Sequence, residues 1–128
     1  MQFLIDTHVL IWYLDGSEKL PDRIRNIIND TDNDIIVSIV SLWEVVIKTS
    51  KHKRLSIDIT FADVYNHIVD RDYLLLNVSL QHLNTLETLT LHHGDPFDRM
   101  LIAQALTEGL TIISADRQFD AYPANVSW

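Results

Sequence analysis

Short apolar runs alternate with helically spaced apolar positions along the whole chain. Phe3-Leu4-Ile5, Ile35 to Ser38, Tyr73 to Val78 and Leu110 to Ser114 are continuous runs of the kind found in buried parallel strands. Between them the period changes to that of a helix. Val9, Leu10, Tyr13 and Leu14 share one face of a helix over Thr7 to Leu14, which Asp15-Gly16-Ser17 ends. Pro21 opens a second helix with Ile24, Ile27 and Ile28 inward, and the turn-rich stretch Asn29 to Asp34 follows it. Ser41 with Glu44 three residues on has capping-box spacing, predicting a helix through Trp43, Val46 and Ile47 towards Lys51. A further helix is expected from Ile59 to Asp70. Ser79 caps a short one through Leu80, Leu83 and Leu86. Pro96 starts a long one with the stripe Leu101, Ile102, Ala105 and Leu106, stopped by Gly109, and Val126 to Trp128 adds a short last strand. Strands that alternate with helices predict an α/β fold: a three-layer α/β/α sandwich around a short, mainly parallel central sheet.

The length of 128 residues fits one domain, and no repeat, linker or low-complexity segment divides it. A hydrophobic fraction of 47% with 22% charged residues is that of an ordinary globular chain, which argues against disorder. No apolar stretch approaches the roughly 20 residues of a membrane span, and the start MQFLID has neither a basic region nor a cleavage site, so a cytoplasmic protein is expected. The absence of cysteine excludes disulfides, thiolate nucleophiles and Cys-ligated zinc.

Five acids change the picture. Asp6 closes the first apolar run, Glu44 follows the second within a turn or two, Asp95 and Asp98 flank Pro96, and Asp116 follows the fourth run. In open α/β sheets ligands bind beyond the carboxyl ends of the strands, where these acids fall. Each has an ordinary structural use as well: Asp6 and Asp95 as helix N-caps, Glu44 as the capping-box partner of Ser41, Asp116 as a turn residue. Their joint placement favours a site. Gathered carboxylates repel one another unless a cation neutralises them, and an oxygen-only set suits Mg²⁺ or Mn²⁺. The net charge of −8 opposes a polyanionic substrate, but setting the five acids aside leaves about −3.

The basic candidates are few. Lys48, Lys51, His52, Lys53 and Arg54 cluster just after the helix that carries Glu44, placed to hold a phosphate backbone or to form a solvated face, and Arg99 beside Asp98 offers a phosphate contact or a salt bridge to a site acid. The histidines show no ligand spacing, so His52, His67, His82, His92 and His93 read as surface or loop-packing residues. His8 reaches the edge of the acid site. Thr7, Ser41 and Ser114 can offer hydroxyls, Ser114 being the best placed to support an acid.

Phe3-Leu4-Ile5-Asp6-Thr7-His8, Ser41-Leu42-Trp43-Glu44-Val45 with Lys48, His92-His93-Gly94-Asp95-Pro96-Phe97-Asp98-Arg99 followed by Leu101-Ile102-Ala103-Gln104-Ala105, and Ile113-Ser114-Ala115-Asp116 together resemble the PIN-domain ribonucleases, specifically VapC-like toxins. The resemblance spans nearly the whole chain in order. It implies a single nuclease domain over residues 1–128 that hydrolyses single-stranded or structured RNA with Mg²⁺ or Mn²⁺. It places the metal-binding and catalytic acids on Asp6, Glu44, Asp98 and Asp116, with Asp95 accessory, and leaves open which acid of the Asp95/Asp98 pair is the main ligand. A homodimer neutralised by a VapB-like antitoxin is implied as well. The rival reading is a PIN-like module that binds RNA or protein without hydrolysis. A dehalogenase-like phosphatase would want an acid two residues after Asp6, where this chain has His8, and a dinucleotide-binding loop needs a glycine array that three scattered glycines cannot build.

Overall fold

The computed structural model describes residues 1–50 and 59–128. The strands are β1 (Gln2–Ile5), β2 (Asp34–Ser38), β3 (Leu74–Leu76), β4 (Thr111–Ile113) and β5 (Asn125–Ser127). The helices are α1 (Thr7–Asp15), α2 (Asp22–Asn29), α3 (Ile39–Ser50), α4 (Phe61–Asp70), α5 (Leu80–Thr88) and α6 (Pro96–Glu108). A single turn of 3-10 helix, Arg117–Ala121, precedes β5. The strands form one sheet in the order β3-β2-β1-β4-β5, and every pairing is parallel.

The period of two along each strand divides the interior. Leu4 pairs in register with Ile36 on one side and Ile112 on the other, and all three point to the face covered by Leu101, Ile102 and Ala105 of α6, with Phe119 and Tyr122. Their neighbours Phe3, Ile5, Ile35, Val37 and Ile113 point the opposite way, onto Val9 and Leu10 of α1, Ile24 and Ile28 of α2, Leu42 and Val45 of α3, and Val64 and Ile68 of α4. The sheet is thus the middle layer of the expected α/β/α sandwich, with α5 beside α6 on the outer side. Burying each such aliphatic side chain contributes roughly 2 kcal/mol, so the alternation alone fixes strand register.

The capping box at Ser41 is corrected. Helix α3 begins three residues earlier, at Ile39, because the Ser38 hydroxyl accepts the Val40 N–H at 3.1 Å and turns the chain straight from strand into helix. Ser41 therefore lies inside the helix, with its hydroxyl buried and unpaired. The Ser79 cap holds, in a capping box completed by His82, and Thr60 with Asp63 does the same for α4. Strand β3 is shorter than its apolar run, ending at Leu76. Gly109 ends α6 in the left-handed conformation with φ 68°.

The connections from β1 run to β2 and then β3 on one side of the sheet, whereas β4 lies against the other side of β1 and β5 beyond it. The order of strand addition reverses between β1 and β4. A crevice forms at such a switch point, outside the carboxyl ends of the two strands. Among the described residues no helix is long and apolar enough to cross a membrane.

Candidate active site

Asp6 and Asp116 flank that crevice. Asp6 leaves β1 and caps α1: its Oδ1 accepts the His8 N–H at 2.7 Å and the Val9 N–H at 3.1 Å, satisfying two donors of the first turn. Its Oδ2 accepts the hydroxyl of Ser114 at 2.5 Å. The residue is only 4% exposed, and burial raises its pKa, opposed by the hydrogen bonds from Ser114 and Val9, the charge of His8 and the His8 N–H. Ser114 in turn accepts the Asp116 N–H at 3.0 Å, so one hydroxyl fixes both the Asp6 side chain and the Asp116 backbone. Asp116 caps the 3-10 helix through the Gln118 N–H at 2.9 Å. A cavity of about 270 Å³ opens beside this pair, lined by Asp6, His8, Trp12, Ala115 and Asp116.

The other acids arrive on α3 and α6. Asp95 and Asp98, undivided by sequence, have different surroundings. Asp95 is exposed and accepts the N–H groups of Phe97 and Asp98 at 2.9 and 3.1 Å, as an N-cap does. Asp98, one turn in, is half-buried, and its carboxyl is pushed up to about 7 by burial first and then by Asp95, Asp6, Asp116 and Glu44. Four carboxylates from four separate chain segments therefore act on one. Glu44 is buried and holds Lys48, the next residue on its helix face, at 2.9 Å.

The donor set suits a hard divalent cation, being carboxylates and hydroxyls without sulfur. Thr7, next to Asp6, and Ser41, a turn before Glu44, each bury a hydroxyl that has no partner. As placed, however, no three His, Asp or Glu side chains among the described residues are arranged to hold a metal ion. Lys48 occupies Glu44 and Ser114 occupies Asp6, so the acids are held apart by protein donors although their fields overlap at Asp98. The overlap at Asp98 belongs to the fold, because the acids that act on it come from separate elements.

Two expectations about basic residues change. Arg99 forms no ion pair with a site acid among the described residues. Its Nη1 donates to the Thr90 carbonyl at 3.0 Å and the Tyr122 hydroxyl at 3.1 Å, and its Nη2 donates to the Leu89 carbonyl at 3.0 Å, tying the loop before α6. Lys48 meets Glu44 before any ligand does. Lys51, His52, Lys53 and Arg54 lie outside the described residues. His82 is a packed capping residue, with Nδ1 accepting the Ser79 N–H and Nε2 at 2.8 Å from Glu108.

Sequence reasoning also assigned His93 to loop packing, but its ring bridges the Tyr122 hydroxyl at 2.8 Å and the Asp98 carboxylate at 3.5 Å. Tyr122 carried no signal of its own. The pair His92-His93 before an acid-rich helix start was the available clue, but it does not say which ring turns inward.

Residues 3–125 match the PIN domain model. The chain belongs to the PIN-domain family. Comparison with curated protein sequences finds no match. Among solved structures, this PIN domain is similar to a chain of VapBC2 from Rickettsia felis bound to a DNA fragment from their promoter, with 17% identity over 100% of this chain and 99% of that one and a TM-score of 0.75. It is also similar to a chain of DNA-bound VapBC from Salmonella typhimurium, with 20% identity, coverage of 99% and 97%, and a TM-score of 0.73. A chain of VapBC-5 from Mycobacterium tuberculosis aligns at 19% identity, coverage of 98% and 95%, and a TM-score of 0.69. At these identities the likeness concerns the fold.

Proposed function

We propose that this PIN domain is a Mg²⁺- or Mn²⁺-dependent endoribonuclease acting on single-stranded or structured RNA, and the toxin of a toxin–antitoxin pair. The observation that carries the reading is the convergence of Asp6, Glu44, Asp95 and Asp116 on Asp98, at the switch point of a parallel sheet. Asp6, Glu44, Asp98 and Asp116 are the residues to hold the cation. Asp98, half-buried and acted on by the other acids where Asp95 is exposed, is our choice of main ligand in that pair. A bound divalent cation supplies Lewis-acid polarisation of the phosphoryl group and a water of lowered pKa. Ser114 keeps one Asp6 oxygen oriented, and the α1 amides hold the other. Lys48, and Lys51, Lys53 and Arg54 after it in the sequence, would neutralise backbone phosphates flanking the scissile one.

A cytoplasmic homodimer controlled by a VapB-like antitoxin completes the reading, supported by the VapBC complexes to which the fold is similar. An apolar cavity of about 520 Å³ lies along α3 and α6, lined by residues including Val40, Trp43, Leu86, Phe97 and Met100. Trp43 is 60% exposed there and meets Phe97 edge to face at 5.1 Å. We assign this groove to the antitoxin, as the exposed apolar surface between α3 and α6, the two helices that carry Glu44 and Asp98.

The test is RNA cleavage by the purified chain with Mg²⁺ or Mn²⁺, with a chelator, and with Asp6→Asn. Cleavage is expected only in the wild type with metal. Cleavage that persists through thorough chelation and in Asp6→Asn overturns the metal mechanism, whereas metal-independent RNA binding without any cleavage establishes the non-catalytic module instead.

A further inference from the structure

Tyr122 is the hub of a hydrogen-bond chain that no part of the reading above uses. Its hydroxyl oxygen accepts from Arg99 Nη1 at 3.1 Å and from the His93 backbone N–H at 3.3 Å. Neither partner can do anything but donate, so both lone pairs of the phenol oxygen are filled. The one hydrogen of Tyr122 must therefore go to the remaining neighbour, Nδ1 of His93, at 2.8 Å. A ring nitrogen that accepts carries no hydrogen, and the hydrogen of the neutral imidazole is then on Nε2. That Nε2 is buried and has no formed hydrogen bond, and the carboxylate it faces is Asp98, with Oδ2 3.5 Å away. An orphaned buried donor opposite an acid oxygen is a contact waiting to tighten, as hydrogen bonds at sites free of ligand commonly are. Tyr122 is itself buried in the core beside Leu101 and Phe119, so the chain is anchored at its far end.

We propose that His93 is a positioning residue for Asp98: Arg99 and Tyr122 lock its ring in the Nε2–H tautomer, and Nε2–H holds Oδ2 of Asp98, leaving the other carboxylate oxygen for a cation. The inference rests on the proposed metal-dependent reading. Arg99, next to Asp98 in sequence, thus acts on it through two intervening side chains instead of directly.

The tautomer can be read from ring ¹⁵N shifts and long-range couplings in the intact, metal-free protein, where Nε2–H is expected for His93; an Nδ1–H ring overturns the proposal. The functional test compares His93→Leu, His93→Gln and Tyr122→Phe by Mn²⁺ affinity in calorimetry without RNA, by kcat and KM, and by melting temperature. His93→Leu should lose about 10- to 100-fold in Mn²⁺ affinity or kcat. His93→Gln, whose amide can again donate, should recover most of that, and Tyr122→Phe, which frees the ring to change tautomer, should fall between. Wild-type Mn²⁺ affinity and kcat in folded His93→Leu overturn the proposal, and if that variant does not fold Tyr122→Phe carries the same decision. Asp98→Asn separates the two levels: if it abolishes Mn²⁺ binding while His93→Leu does not, only the positioning role falls, and if it leaves binding and cleavage intact the metal-dependent reading falls and takes the positioning role with it.

Discussion

Ser114 gives its hydroxyl hydrogen to the Oδ2 oxygen of Asp6, joining the carboxyl ends of β4 and β1 where the strand order reverses. The Ser114 hydroxyl oxygen itself accepts the Asp116 amide hydrogen, so a small polar side chain sets two acids at once. A buried carboxylate with three donors is tolerable; one with two is costlier. Because the Ser114 bond lowers the Asp6 pKa against the effect of burial, its removal should raise that pKa further.

Ser114→Ala is accordingly expected to lower stability at neutral pH by about 1–3 kcal/mol, the usual loss for a hydrogen bond to a buried charged group. Cleavage should fall by about 10-fold, since Asp6 loses the donor that orients it. Thermal melts and single-turnover cleavage check the two effects separately. A variant with wild-type rate would make Ser114 a purely structural bridge.

Asp98 predicts a pH dependence of opposite sign to that of an ordinary paired carboxylate. Its folded-state pKa of about 7 lies above the usual 3.8, so between these values the folded protein holds a proton that the unfolded chain has released. Stability of the metal-free protein should therefore fall as pH rises from about 4 to about 7, by on the order of 2 kcal/mol from this group after allowance for its partial exposure. Asp98→Asn should flatten that slope and melt higher than wild type at pH 8. Cation binding displaces the same proton, so Mn²⁺ affinity should strengthen as pH rises through 7. Denaturant titrations at several pH values, with and without Mn²⁺, measure both. A melting temperature for Asp98→Asn below that of wild type at pH 8 would count against the crowding of acids.

Much of this was legible in the chain because two periods do not mimic each other. Leu4 flanked by Phe3 and Ile5 reads as a strand buried on both faces, and the spacing of Leu101, Ile102 and Ala105 after Asp95-Pro96 reads as a helix with its cap. The acids were legible as a set because each follows an apolar run or opens a helix. What failed was local choice between neighbours. Ser38 and Ser41 are both good caps by residue type, and it is Ser38 that takes the Val40 N–H, with Val40 and Leu42 buried in the core. Arg99 follows Asp98, but adjacent residues on a helix project about 100° apart, so adjacency in sequence kept the two side chains from meeting. His92 and His93 posed the same difficulty. The 3-10 turn at Arg117–Ala121 hid behind turn-like composition.

Gly109 offers a test of the fold apart from the chemistry. It ends α6 at φ 68°, with no neighbouring atom within 4 Å of where a Cβ would stand, so only backbone conformation resists a side chain. Gly109→Ala should cost about 1 kcal/mol, and a few degrees of melting temperature, without changing cleavage. Loss of activity at unchanged stability would show that the α6–β4 connection moves during turnover.

Lys48 provides the last prediction. Its ammonium lies 2.9 Å from Oε2 of the buried Glu44, one helical turn earlier on α3, the acid proposed above as a metal ligand. The pair is intermediate between an exposed i,i+4 contact, worth about 0.3 kcal/mol, and a fully buried ion pair, whose disruption costs about 3–5 kcal/mol. Lys48→Gln should therefore destabilise the metal-free protein by on the order of 1 kcal/mol, leaving Glu44 without a counter-charge. Mn²⁺ should restore more stability to this variant than to wild type, because the metal no longer competes with an ammonium. If Lys48 moves to a phosphate when RNA binds, the variant should also lose RNA affinity across sequences, with the salt dependence flattened by about one unit. Melting curves over a Mn²⁺ series and RNA binding over a salt series, the latter in an Asp6→Asn background with Ca²⁺ so that substrate persists, separate the two roles. An unchanged salt slope would confine Lys48 to Glu44, and an unchanged response to Mn²⁺ would mean that Glu44 is no ligand.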